Sequence, residues 1–163
     1  MLELNADFQS YHIEGFAREG AGAFFSAPLI SHVEGNLWQG GCIDGVELPE
    51  GVKYVVSLYP WGQYILPEGC HRDEIEMYDM GELPDLKQLH EIAEKVNEYR
   101  AKGTTLVHCQ AGLNRSGLVA ALALHKTGMK AADAIALLRE KRSPLVLCNR
   151  AFHDYLLSLD ETP

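Results

Sequence analysis

The chain has 163 residues, is 47% hydrophobic, and carries 23 Asp and Glu against 14 Lys and Arg, a formal net charge of −9. That length supports one domain with a sizeable core and no covalent staples. No apolar run reaches membrane length, which excludes a spanning helix. The acidic balance argues against wrapping duplex nucleic acid or docking on an anionic membrane, since both need clustered basic residues. The charge is uneven: residues 1–100 hold 18 acids against 6 bases, and residues 101–163 hold 5 against 8. Met1-Leu2-Glu3-Leu4 does not begin like a signal peptide. The four cysteines, Cys42, Cys70, Cys109 and Cys148, form no C-x-x-C pair. A reducing cytoplasm is the expected setting.

Residues 1–27 are loosely patterned, with Gly15, Gly20, Gly22 and several aromatics, and read as an N-terminal extension or irregular cap before a domain spanning 28–163. Leu37-Trp38, between Gly35-Asn36 and Gly40-Gly41, predicts a short edge strand. Lys53–Leu58 is β-branched and apolar, as a buried strand should be. Glu74–Tyr78 alternates charged and apolar residues and is a third strand candidate. Leu86, Leu89, Ile92, Ala93, Val96 and Tyr99 recur at helical spacing and predict an amphipathic helix over Asp85–Arg100. Thr104–His108 predicts a strand, and Ser116–Lys126, Ala131–Lys141 and Asn149–Leu159 predict helices. Strands alternating with helices imply an α/β fold with a mostly parallel central sheet, covered by helices on both faces, and a binding site at the strand C-terminal ends.

His108–Gly117 reads HCQAGLNRSG. It sits between a predicted strand and a predicted helix, a junction at which backbone N–H groups converge and the helix dipole adds partial positive charge. A thiol at such a position, beside a cation, is a candidate nucleophile. Cys109 holds that position. Arg115 can grip a phosphoryl group through two parallel N–H···O bonds, which lysine cannot reproduce, and the Ser116 hydroxyl can donate to the sulfur. The bland alternative, a buried cysteine acting as a small hydrophobe, leaves Gly112, Ser116 and the flanking periodicity unexplained.

The string resembles the protein tyrosine phosphatase signature HC-x-x-G-x-x-R-(S/T)-G at every fixed position. Ile30–Gly41 and Arg142–Leu156 resemble the opening and closing segments of the compact dual-specificity branch, so the likeness spans roughly residues 28–160. The resemblance implies a cysteine-dependent phosphatase in which Cys109 attacks phosphorus to form a phosphocysteine. It implies that the backbone of Gln110, Ala111, Gly112, Leu113, Asn114 and Arg115 holds the phosphoryl oxygens, with Ser116 helping the thiolate leave and His108 shaping the loop. The implied substrate is a phosphorylated protein, above all one bearing phosphotyrosine, with phosphoserine and phosphothreonine also open, and no metal or other cofactor is required.

The resemblance also implies an aspartate proton donor on a loop before the helix that precedes the signature. Asp79 and Asp85 compete. Asp85 begins a helix with Gln88 three residues on, as a cap would; Asp79 follows a strand candidate, has no such account, and is the favoured acid. Two rivals remain open: Gly112-x-Asn114-Arg115 resembles the loop of RNA 5′-triphosphatases, and a non-catalytic phospho-residue binding module fits the same loop. Asn149 reads as a helix cap. Tyr59, Trp61 and Tyr64 read as a pocket rim or as ordinary packing, and Cys42, Cys70 and Cys148 as buried thiols rather than redox partners of Cys109.

Overall fold

A computed structural model describes residues 2–17 and 22–161. Its centre is a five-stranded sheet of β3 (Ile30–Glu34), β4 (Leu37–Gly40), β5 (Val52–Ser57), β6 (His71–Glu74) and β7 (Thr104–His108), in the order β3-β4-β7-β5-β6. Only the β3–β4 pair is antiparallel; β4–β7, β7–β5 and β5–β6 are parallel. Helices α2 (Leu86–Arg100), α3 (Arg115–Lys126), α4 (Ala131–Lys141) and α5 (Arg150–Ser158) complete the frame. The expected α/β fold, a mostly parallel sheet flanked by helices, is present, with α2 to α5 all packed on the same face of the sheet.

Period-two alternation divides the core. Leu37, Val56 and Val107 point to one face and join the buried faces of α2 to α5. Trp38, Val55 and Leu106 point to the other, where Leu2, Phe8, Val46, Leu48 and Tyr64 cover them. Helix α3 is almost wholly buried from Arg115 to Leu124, so it reads as apolar all round rather than as an amphipathic stripe.

Three expectations are corrected. Residues 1–27 are not irregular where they are described: α1 (Ala6–Gln9) is capped by Asn5, and β1 (His12–Ala17) pairs antiparallel with β2 (Ala23–Pro28) as a separate hairpin. Gly20 lies outside the described residues. Leu37-Trp38 is not an edge strand, because β3 pairs on its outer side and takes the edge. The third strand runs over His71–Glu74, not 74–78. The partner strand β5 ends at Ser57, whose carbonyl receives a final bond from Ile75 N at 2.8 Å, and the chain beyond leaves the ladder. No helix among the described residues is long and apolar enough to cross a membrane.

Candidate active site

Strand β7 delivers His108 and Cys109 to the sheet's C-terminal edge, and the chain then turns through residues 110–114 into α3. The turn closes because Gly112 has φ +77°; a Cβ there would lie 2.5 Å from both the Arg142 guanidinium and the Gly40 carbonyl carbon.

The orientation of this loop follows from where its carbonyls go. The Cys109 carbonyl accepts from His108 Nδ1 at 3.1 Å. That of Gln110 accepts from Cys42 N at 2.9 Å. Ala111 accepts from Arg142 Nη2 at 3.0 Å, and Gly112 from Arg142 Nε at 2.8 Å and Gln39 Nε2 at 3.1 Å. Leu113 accepts from Leu147 N at 3.0 Å. Leu147 sits at φ +60°, a conformation costing an L-residue about 1–2 kcal/mol, and its N–H thereby meets the loop. With every carbonyl from Cys109 to Leu113 bonded to surrounding protein, the peptide N–H groups face the other way. Among the described residues, none of the N–H groups from Gln110 to Arg115 donates to a protein acceptor. Such a row of converging amides is an anion nest.

Cys109 is 2% exposed and lies on the floor, its Sγ 3.4 Å from Ser116 Oγ. The Cys109 thiol and Gln39 Nε2, the latter at 3.1 Å, both donate to Ser116 Oγ; once the thiol is ionised, the serine hydroxyl is the member of the pair with a proton to donate. Arg115 is also buried: Nη1 donates to Met77 O at 3.1 Å, Nε has no partner among the described residues, and the guanidinium lies 5.4 Å from the Tyr59 ring centroid. An orphaned buried donor beside the nest calls for an acceptor.

Asp79 reaches the same pocket. Its Oδ2 accepts from Asn114 Nδ2 at 3.0 Å and its Oδ1 from Asn149 Nδ2 at 2.7 Å. Asn149 also bonds Met80 O and receives Phe152 N, capping α5, and its own N–H returns to Asn114 Oδ1 at 2.9 Å. The cap expected of Asn149 is present together with a second contact that the sequence does not signal. Asp85 caps α2, accepting from Gln88 N at 2.8 Å, and lies away from the pocket that Asp79 lines.

That pocket, of about 400 Å³, is lined by the loop, by Tyr59, Trp61, Tyr78, Asp79 and Met80, and by Phe16, Ala17 and Phe25 of the hairpin. Tyr64 does not line it. Its hydroxyl donates to Gly41 O at 2.5 Å and its ring packs edge-on against His108. Burial pushes the His108 imidazole down to about 4; the bond to the Cys109 carbonyl opposes this, and the charges of Arg72 and Arg115 add to it. Burial likewise pushes Arg142 down to about 10, still protonated at neutral pH, and the Cys42 thiol up to about 12. Among the described residues no group of three or more His, Cys, Asp or Glu side chains assembles in metal-binding proximity.

Gln39 and Arg142 escaped the sequence reading as contributors to this site. Gln39 alternates with apolar neighbours on a buried strand, which is a weak signal of a built-in polar role; Arg142 carries none beyond its charge.

The family model described as "Dual specificity phosphatase, catalytic domain" matches residues 51–162. The chain belongs to this family of cysteine-dependent phosphatases. No curated protein matches it by sequence. Among solved structures, human DUSP28 is 22% identical with a TM-score of 0.69, covering 80% of this chain and 95% of that one. Tk-PTP in its active form is 24% identical with a TM-score of 0.66, covering 83% and 99%. DUSP15 is 21% identical with a TM-score of 0.65, covering 80% and 86%. At such identities these neighbours establish the fold. This dual-specificity phosphatase domain begins, in its matched part, at the turn before β5; the hairpin and the strands β3 and β4 precede it.

Proposed function

We propose that this phosphatase domain hydrolyses phosphotyrosine in proteins through a phosphocysteine. The observation that carries the reading is the loop whose carbonyls from Cys109 to Leu113 are all bonded outward, leaving its amides to receive a phosphoryl group above a buried thiol. In the first step the Cys109 thiolate attacks phosphorus and the bond from phosphorus to the tyrosyl oxygen breaks. The Asp79 carboxyl proton passes to that oxygen, so the leaving group departs as neutral tyrosine. The two amide bonds at Asp79 occupy about half of the acceptor directions of its carboxyl group and fix its position. In the second step water attacks phosphorus, gives a proton to Asp79, and the P–S bond breaks. The Ser116 hydroxyl donates to the departing sulfur. Arg115 and the amides of residues 110–115 carry the growing charge on the equatorial oxygens through both steps, the kind of preorganised stabilisation that dominates many enzymatic accelerations.

The phosphotyrosine reading draws support from the walls. Five of the lining residues are aromatic, and Arg115 is the one cation among the described lining residues. That suits an aryl phosphate and offers little to a triphosphate or a phosphoinositide headgroup, which need several cations. The residues from 28 onward form the proposed catalytic domain and are expected to work in a reducing cytoplasm, since a thiolate nucleophile needs one.

Hydrolysis of a phosphotyrosine peptide, a phosphothreonine peptide, a phosphoinositide and 5′-triphosphorylated RNA, each with EDTA present, tests the proposal. Turnover of the phosphotyrosine peptide well above the others, unaffected by chelator, is expected. Faster release of phosphate from RNA overturns it in favour of a triphosphatase, and no turnover of any substrate points to a binding module.

A further inference from the structure

The β1–β2 hairpin carries an aromatic pair that packing within the fold does not account for. Its inward residues Ile13, Ala17 and Phe25 meet the core on the helical side of the sheet, and Ala27 is buried beside them. Its outward face is polar at His12, Glu14 and Ser26, yet also presents Phe16 and Phe24, 74% and 57% exposed. The two are register partners across the hairpin, with ring centroids 5.6 Å apart, edge to face. A cross-strand aromatic pair stabilises a hairpin, but this one is placed where it also meets solvent beside the pocket. Phe16 is part of the pocket wall. The wall continues through Trp61, Tyr78 and Met80, each more than half exposed, with Trp61 and Tyr78 5.6 Å apart.

We infer that Phe16 and Phe24 form a ledge that selects the substrate's sequence, by taking an apolar side chain next to the phosphotyrosine. The inference rests on the reading that the pocket takes phosphotyrosine. An extended peptide advances about 3.3–3.6 Å per residue. With the phosphorylated ring in the pocket, the next one or two side chains leave past the rim, where Phe16 stands in the pocket wall and Phe24 stands 5.6 Å from it. The rim offers these side chains apolar surface: among the described lining residues, Asp79, Cys109 and Arg115 are the ionisable groups other than tyrosine, and they belong to the chemistry. Acidic flanks, which many phosphotyrosine-reading surfaces meet with clustered basic residues, find none in that lining and an excess of acids in the chain. The hairpin also lies outside the segment matched by the family model.

The test uses the full chain and two phosphotyrosine peptides that differ only in the residues beside the phosphotyrosine, leucine in one and serine in the other, with phenyl phosphate as a third substrate. The expected ratio of kcat/KM, leucine over serine, is about fivefold to tenfold for the wild type, the scale of partly burying one leucine. It falls to within about twofold in Phe16→Ala and in Phe24→Ala. Both sites are exposed, and each variant's circular dichroism and thermal midpoint report that it has folded, while phenyl phosphate, which has no flanking residues, reports any change in the pocket itself. A wild-type ratio near one overturns the inference while the phosphotyrosine reading stands. A ratio that persists in both variants removes the hairpin from the selection. Failure of the wild type on both peptides overturns the phosphotyrosine reading and the ledge with it. A ratio near one together with Phe16- and Phe24-dependent binding to phosphatidylcholine vesicles overturns the inference in favour of a lipid surface.

Discussion

The floor and the rim of the pocket are built by opposite means. On the floor, Cys109, Ser116, Gln39 and Asn149 are almost wholly buried, and the loop's position is dictated by bonds to its carbonyls from Arg142, Gln39, Cys42 and Leu147. At the rim, Trp61, Tyr78, Met80 and Phe16 stand more than half exposed, with ring contacts in place of buried hydrogen bonds. A buried polar network so cross-bonded has few arrangements that keep its bonds, so it specifies geometry sharply. Exposed aromatics offer adaptable contact area. In the proposed function, recognition of the phosphoryl group falls to backbone locked from behind, and recognition of what bears it to side chains that can be exchanged.

The largest effects should come from the floor. Cys109→Ser is expected to abolish turnover of phenyl phosphate while phosphate affinity stays within a few-fold, because the amides and Arg115 supply the binding; titration of the variant with phosphate by calorimetry checks both halves. Residual turnover above a few per cent would move the nucleophile elsewhere. Arg115→Lys should cost on the order of 10²–10³ in kcat, since the forked contact to two oxygens is lost and the planar transferring group is the species it fits best. A variant with near wild-type kcat and a raised KM would contradict that role.

Asp79, which joins floor to rim, should show an intermediate effect that depends on the substrate. Asp79→Asn is expected to lose on the order of 10²-fold on phenyl phosphate and to recover as the leaving phenol becomes more acidic. A constant loss across a series of substituted phenyl phosphates would show that it is not the proton donor. Asp85→Asn should change stability by less than about 0.5 kcal/mol and leave turnover of phenyl phosphate intact, because asparagine caps a helix as well as aspartate does.

His108 sharpens the comparison from the side of stability. Its imidazole is held near 4 against an ordinary 6.5, so the folded state binds fewer protons than the unfolded one. The associated stability is full above pH 6.5 and is lost as the pH falls toward 4, by up to about 3 kcal/mol. Urea unfolding between pH 7 and 4 should therefore fall more steeply for the wild type than for His108→Asn. Equal slopes would mean that the buried ring is not what the acid attacks.

What could be read in advance divides along sequence distance. The stretch from His108 to Gly117 carries its own geometry: strand, glycine turn and helix start within ten residues. Asp79 and Asp85 separate because a helix cap is also local, with its partner three residues away. Contacts such as Gln39 to Gly112, 73 positions apart, or Asn149 to Asp79, 70 apart, leave no periodic trace. The hairpin was hidden for another reason. Phe24 and Phe25 stand side by side, one outward and one inward, and Phe16 faces solvent, so alternation of polar and apolar residues, the usual mark of a half-buried strand, is broken at the positions that reach the pocket. The candidate strand at 74–78 misled in the reverse way, since its alternation continues past the last partner that β5 can offer.

Arg142 gives this domain a lower limit of length. One guanidinium bonds Ala111 and Gly112 of the loop and also reaches the Pro28 carbonyl at 2.6 Å and Ser31 Oγ at 3.0 Å. Strand β4, which flanks the strand leading to Cys109, likewise lies before residue 51. A fragment trimmed to residues 51–162 would expose β7 as a raw sheet edge open to aggregation. It would also leave that guanidinium with half its acceptors and the loop without Gln39 and Cys42. Expressed alone, such a fragment should be insoluble or inert although it contains the whole His108–Gly117 stretch, and a usable truncation has to begin ahead of Pro28.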